Sequence, residues 1–222
     1  MDFKREAAGT GTSYGEKPIW TIPVRTHQKI IIKMKIVKSS ISDVLIVEPR
    51  VFHDSRGYFM ESYRESIFKS EGIDTKFIQD NESKSYYGVL RGLHYQLPPF
   101  SQSKLVRVIS GRALDVAVDI RKGSPTFGKY VSAELSSDNK LMMFIPRGFA
   151  HGFLALSDEC IFQYKCDNYY SPAHEGSIRW NDKELNIDWR IPYEDIILSP
   201  KDTNHPSLAQ AKLFNYTTPL TH

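Results

Sequence analysis

Two histidines, a lysine, two tyrosines and an aspartate can do chemistry in this chain of 222 residues. His94 lies in VLRGLHYQ (residues 89–96), Lys104 in SKLVRVISG, His151 in IPRGFAHGF, Tyr164 and Tyr170 in IFQYKCDNYY, and Asp202 in LSPKDTNHP. An imidazole titrates near neutrality and can act as a base, while a phenol can deliver a proton. A lysine ammonium can steady an oxyanion, and a carboxylate can orient the base. Such a set supports removal of a proton beside a carbonyl and its return on the opposite face, an epimerisation. Singly, each residue has a blander role: a strand histidine as a satisfied structural group, a sheet tyrosine as core or rim, an aspartate in a turn as an Asx-type cap. Their joint occurrence on several strands of one small domain favours chemistry.

Metal binding is the first competing chemistry. Cupin jelly rolls hold metals with an H-x-H pair and a nearby glutamate on one strand and a histidine on another, and PRGFAH fits the second half of that pattern. The first half fails, because HYQLPPFSQSK offers Gln96 in place of the second histidine and no acid before Lys104. Two imidazoles with an amide and an ammonium make a poor divalent site, so no metal is expected.

Strands must position these residues. Short apolar alternations recur between turn signals from Met34 onward: DVLIVEPRVF, KFIQDNESKS, KLVRVIS and ALDVAVDI around Gly111-Arg112, GKYVSAELSS, and LMMFIP and FAHGFLAL around Arg147-Gly148. This is a many-stranded antiparallel pattern. In Leu114–Ile120 the apolar residues take one face, and Asp115, Ala117 and Asp119 the other, which should meet water or a lined cavity. His94 and Gln96 share parity, whereas Arg91 faces away unless Gly92 permits a bulge. Helical patterning is sparse: ESYRESIFKSEG ends at Gly72 as a helix should, and PSLAQAKLF is a second candidate. The expected fold is all-β, a double-sheet jelly roll with short peripheral helices and a helical C-terminal tail, forming one domain over 34–222.

Bulk properties narrow the partners. The net charge of +3 resides in residues 1–33, where six basic side chains face Asp2, Glu6 and Glu16, so the rest is balanced and nucleic acid is not expected. This segment reads as an N-terminal extension without a catalytic role. No apolar run approaches the roughly 20 residues of a spanning helix, so no membrane partner is expected. Cys160 and Cys166 sit about 20 Å apart in an extended strand and cannot bridge each other, which fits small buried thiols in a reducing cytoplasm.

From Met34 to about Tyr216 the chain closely resembles the dTDP-4-dehydrorhamnose 3,5-epimerases. The resemblance rests on DSRGYFMESY, QDNESKS, GVLRGLHYQ, KLVRVISGRALDVAVDIRKGSPTFGK, IPRGFAHGF, YKCDNYYSPAHEGSIRWND and LSPKD, in order and at the family's spacing. It implies conversion of dTDP-4-dehydro-6-deoxy-D-glucose to dTDP-4-dehydro-L-rhamnose, with no cofactor. His94 would be the base for the C3′ and C5′ protons, Asp202 its partner, Tyr164 the acid and Lys104 the stabiliser of the C4′ enolate oxygen. Arg56, Glu61, Gln79, Asp80, Asn81, Arg91, His151, Tyr170, Glu175 and Lys201 fall at positions that line or hold the dTDP-sugar. The resemblance also implies a homodimer in which the Arg56–Glu61 region reaches the neighbouring subunit's site.

Ser103, where the family usually has glycine, and Asp167, where threonine is common, depart from the pattern. They leave room for a mono-epimerase of a related dTDP-4-keto-6-deoxyhexose. A metal-dependent cupin enzyme and a non-catalytic sugar-binding jelly roll are the alternatives from other classes.

Overall fold

The computed structural model describes residues 34–216, so the extension at 1–33 lies outside the described residues. The chain runs through β1 (Lys35–Lys38), β2 (Leu45–Glu48), β3 (Val51–Asp54), β4 (Gly57–Met60), α1 (Glu65–Ser70), β5 (Gln79–Tyr86), β6 (Leu90–Gln96), β7 (Lys104–Ser110) and β8 (Arg112–Asp119). It continues through β9 (Arg121–Lys122), β10 (Tyr130–Ser136), β11 (Met142–Ile145), β12 (Phe149–Ala155), β13 (Glu159–Cys166), β14 (Glu175–Ser177) and β15 (Phe214–Asn215). One sheet has the order β1-β2-β11-β7-β13-β5, the other β10-β8-β12-β6-β14. The neighbours within both sheets are antiparallel, as the alternating patterns require. The result is the expected β-sandwich.

Strands adjacent in sequence switch sheets. β7 and β8 are separated by Gly111 alone yet belong to different sheets, as do β11 and β12 around Gly148. Both glycines have positive φ, +77° and +87°, a conformation that side-chain-bearing residues rarely adopt. These corners close the sandwich around Val106, Val108, Ala117, Met143, Ile145, Phe153 and Phe162. Phe153 and Phe162 stack with centroids 3.9 Å apart.

β8 shows how the second face is used. Leu114, Val116, Val118 and Ile120 pack with Trp189, Leu208 and Phe214, while Asp115 and Asp119 on the opposite face are fully buried. Burying a carboxylate is costly without partners, and each has them. Asp119 takes bonds from Arg121, Ser124 and Thr126, and Asp115 from His151. The face therefore meets the protein interior rather than water.

The first expected helix is present as α1, shorter than the sequence pattern, with Gly72 at φ +82° just beyond it. PSLAQAKLF is not a helix. It makes one turn, with Gln210 and Ala211 N–H groups on the Ser207 carbonyl. Its Leu208, Ala211 and Phe214 instead pack beside the outward side chains of β8, so tertiary burial overrides local propensity. Cys160 and Cys166 are free and buried, as expected.

Candidate active site

The site is built from both sheets. β6 brings His94 from the five-stranded sheet, and β7 and β13 bring Lys104 and Tyr164 from the six-stranded one. All three line a cavity with two lobes of about 300 and 150 Å³. Arg91, His151, Lys201 and Asp202 line the larger lobe, and Gln79, Asn81, Tyr170 and Glu175 the smaller.

Gly92 does let Arg91 and His94 reach one cavity. In the β6–β12 ladder His94 pairs with His151 and Arg91 with Phe153, so β6 spends three residues where β12 spends two. Gly92 has φ +141°, and a Cβ there would stand 2.5 Å from the Gly152 Cα. Any larger residue meets backbone, so the bulge needs glycine on both strands.

Asp202 comes from a turn 108 residues from His94 and accepts a 2.6 Å hydrogen bond at His94 Nε2. Ser199 fixes it by a reciprocal pair: its hydroxyl donates to Asp202 Oδ2 and accepts the Asp202 N–H. Burial pushes the Asp202 carboxyl up, but the bonds from His94 and Ser199 outweigh it and hold the group below its ordinary value. An ionised Asp202 can only accept, so His94 Nε2 carries the proton and Nδ1 keeps the lone pair of the neutral ring. Nδ1 bonds to no protein group among the described residues.

Burial pushes the Tyr164 phenol up, so it keeps its proton. Burial lowers Lys104, against the pull of Cys166, Asp115 and Glu175. Its ammonium stands 5.9 Å from the Tyr164 ring centroid and makes no ion pair among the described residues. Lys201 holds both Glu175 oxygens at 2.5 Å, and the Tyr170 hydroxyl donates to the same carboxylate. His94, Tyr164 and Lys104 thus surround one space, with a charged and aromatic rim at its mouth.

Three sequence candidates stand elsewhere. Asp80 alternates with Gln79 and Asn81 along β5, points away and pairs with Lys165. Arg56 sits at the β3–β4 turn, largely exposed, bonded to Asp54. Glu61 pairs with Arg64. Gln96 lines the cavity with His94, as their shared parity implied; other residues were missed: Gln102, Ser83 and Ser199 line the cavity, and Asp115 holds His151. Ser199 was legible in S-P-K-D, whose three-residue spacing is that of a side chain capping a turn. The two departures touch each other. The Ser103 N–H donates to Asp167, whose carboxylate also takes Arg147 Nε–H. They fasten the ends of the strands bearing Lys104 and Tyr164.

A β-sandwich cavity that sets a histidine from one sheet, held by an aspartate from a turn, across from a tyrosine and a lysine of the other sheet has the groups an isomerase working by proton transfer needs. A family profile described as dTDP-4-dehydrorhamnose 3,5-epimerase matches residues 38–210. A dTDP-4-dehydrorhamnose 3,5-epimerase of Shigella flexneri is 53% identical over 182 residues, covering 82% of this chain and 99% of that protein. The structure of a dTDP-6-deoxy-D-glucose-3,5-epimerase from Legionella pneumophila, in complex with dTDP-4-keto-L-rhamnose, superimposes with TM-score 0.81 at 46% identity, covering 84% of this chain and all of the other. A 3′-monoepimerase from Streptomyces bikiniensis in complex with dTDP-quinovose gives TM-score 0.73 at 36% identity, over 78% and 87% of the two chains. The chain belongs to the dTDP-4-dehydrorhamnose 3,5-epimerase family.

Proposed function

We propose that the protein epimerises dTDP-4-dehydro-6-deoxy-D-glucose at C3′ and C5′, giving dTDP-4-dehydro-L-rhamnose for dTDP-L-rhamnose biosynthesis. One observation carries this reading: the base and the acid line one cavity from opposite sheets. His94 Nδ1 removes the proton beside the C4′ keto group while Asp202 steadies the imidazolium. Lys104 stabilises the enolate oxygen, and Tyr164 returns a proton from the other side. Arg91, Lys201 and the amides of Gln79 and Asn81 supply polar contacts for the nucleotide and sugar, and Tyr170 an aromatic wall.

Proton NMR of the substrate in D₂O tests the reading. Deuterium at both C3′ and C5′ is expected, and no incorporation would sink it. The Ser103–Asp167 contact, one residue from Lys104, keeps a mono-epimerase as the second reading, and incorporation at one carbon alone would select it.

The assembly we infer is a homodimer completed by the β3–β4 hairpin, where Tyr58 and Phe59 are 53% and 65% exposed and Arg56 reaches out. Sedimentation should give a dimer, and an active monomer would contradict it. Residues 34–222 form the catalytic domain in this reading, with 1–33 an appendage. Among the described residues no helix is long and apolar enough to cross a membrane. We place the enzyme in the cytoplasm, where buried free thiols are at home.

A further inference from the structure

His205 is a buried titratable group beside the cavity that the proton-transfer scheme does not use, and unlike buried His151, which Asp115 holds, it has no hydrogen-bond partner at either ring nitrogen among the described residues. Its side chain is 5% exposed. Buried imidazoles ordinarily satisfy at least one nitrogen. Nε2 of His205 lies 3.6 Å from Asp202 Oδ1, and the ring meets His94 edge-on with centroids 5.3 Å apart. The potential ligand atoms of His94, Asp202 and His205 all lie within 4.8 Å of one another.

We propose that His94 Nε2, Asp202 Oδ1 and His205 Nε2 form a binding site for one divalent transition ion of the zinc class, and that the bound ion switches the epimerase off. Two imidazoles and a carboxylate are the donor set such ions take, whereas calcium and magnesium prefer oxygen alone. With bonds of about 2.0–2.1 Å, ligand atoms on a tetrahedral ion stand roughly 3.3 Å apart. The His205–Asp202 separation is already close to this. The His94–Asp202 separation of 2.6 Å must open by about 0.7 Å as the ion replaces the shared proton. Ser199 orients the carboxylate from behind through Oδ2, leaving Oδ1 for the ion. His94 is 30% exposed by its side chain, which gives the ion a path from the cavity. Of the three cationic side chains lining the lobe, Lys201 is neutralised by Glu175, and Arg91 and Lys104 are the charges the ion must tolerate.

Inhibition follows from the tautomer. An ion on Nε2 moves the imidazole proton to Nδ1, and the lone pair that faces substrate is lost. No net proton need be released from a neutral ring. Binding is independent of the functional reading; only the inhibition rests on it.

The test is calorimetry of tag-free full-length protein with zinc chloride after chelator treatment, beside the deuterium-exchange assay. Wild type should bind one zinc per chain and lose exchange, with activity restored by chelator. His205→Phe keeps a ring packed on His94 and His205→Ala does not. Both should exchange deuterium within about twofold of wild type yet bind zinc more than about tenfold more weakly, as expected when a site loses a ligand. Substitution of cobalt(II) should give a tetrahedral visible spectrum in wild type and not in either variant. Failure of wild type to bind zinc, or equal binding by both variants, would overturn the proposal. A protein that binds zinc but never exchanges deuterium would refute the epimerase reading and leave the site standing.

Discussion

Among the described residues two His–Asp pairs share the same 2.6 Å contact through Nε2, and they differ in their surroundings. His94–Asp202 opens on the cavity, with the His94 side chain 30% exposed and Asp202 supplied by a turn. His151–Asp115 joins neighbouring strands β12 and β8; His151 also lines the larger lobe, but with side chains only 7% and 0% exposed the pair is nearly sealed from it. A short histidine–carboxylate bond is therefore no sign of a base by itself. The open pair can lose and regain a proton at its free nitrogen, while the sealed pair neutralises the cost of a carboxylate placed inside a sandwich.

The comparison breaks most readily at its open end. His94→Ala should lower deuterium exchange by about 10²- to 10⁴-fold with little change in unfolding midpoint, because it removes a positioned base from a cavity wall. His151→Ala should do the reverse. Removing one partner of a buried pair costs about 3–5 kcal/mol in urea unfolding, since Asp115 would be left uncompensated and its Oδ2 has no partner already. A smaller loss of exchange than in His94→Ala is expected, and identical behaviour of the two variants would erase the distinction.

Two pH effects sharpen it further. Burial lowers Lys104, so its charge disappears below the ordinary lysine range and exchange should fall as pH rises there. An alkaline limb no earlier than that of a free lysine would remove Lys104 from the oxyanion role. The smallest effect concerns the sealed pair. Burial lowers His151, with Lys104 and His94 adding to it and Asp115 opposing. A folded value below the unfolded one means the unfolded chain binds more protons, so this contribution to stability is present above about pH 6.5 and fades as pH falls through the folded value. His151→Gln should flatten that part of the stability–pH curve while keeping a donor for Asp115.

Much of the fold could be read from alternation alone. The β8 pattern separated Leu114, Val116 and Val118 from Asp115 and Asp119 correctly, and Gly92 signalled the bulge that re-aims Arg91. Asp80 shows where motif reading ends, because it sits between two cavity residues on a strand whose period of two sends it outward. PSLAQAKLF shows the limit of helical periodicity, because its apolar residues are also what the outer face of the five-stranded sheet requires.

The sequence by itself determined the strand pattern, the proton-moving residue types and the family motifs, since these depend on period and composition. Period and composition could not decide which aspartate serves which histidine; the family resemblance alone named Asp202 for His94, and nothing named Asp115 for His151. Asp202 reaches His94 across 108 residues, and Asp115 reaches His151 across 36. Those pairings depend on sheet order, on crossings at Gly111 and Gly148, and on a turn fastened by Ser199. Only the folded chain sets such long-range geometry, because each pairing is fixed by the burial of surfaces far apart in sequence. The same folding left His205 buried against the open pair, a placement that nothing in DTNHP foretold.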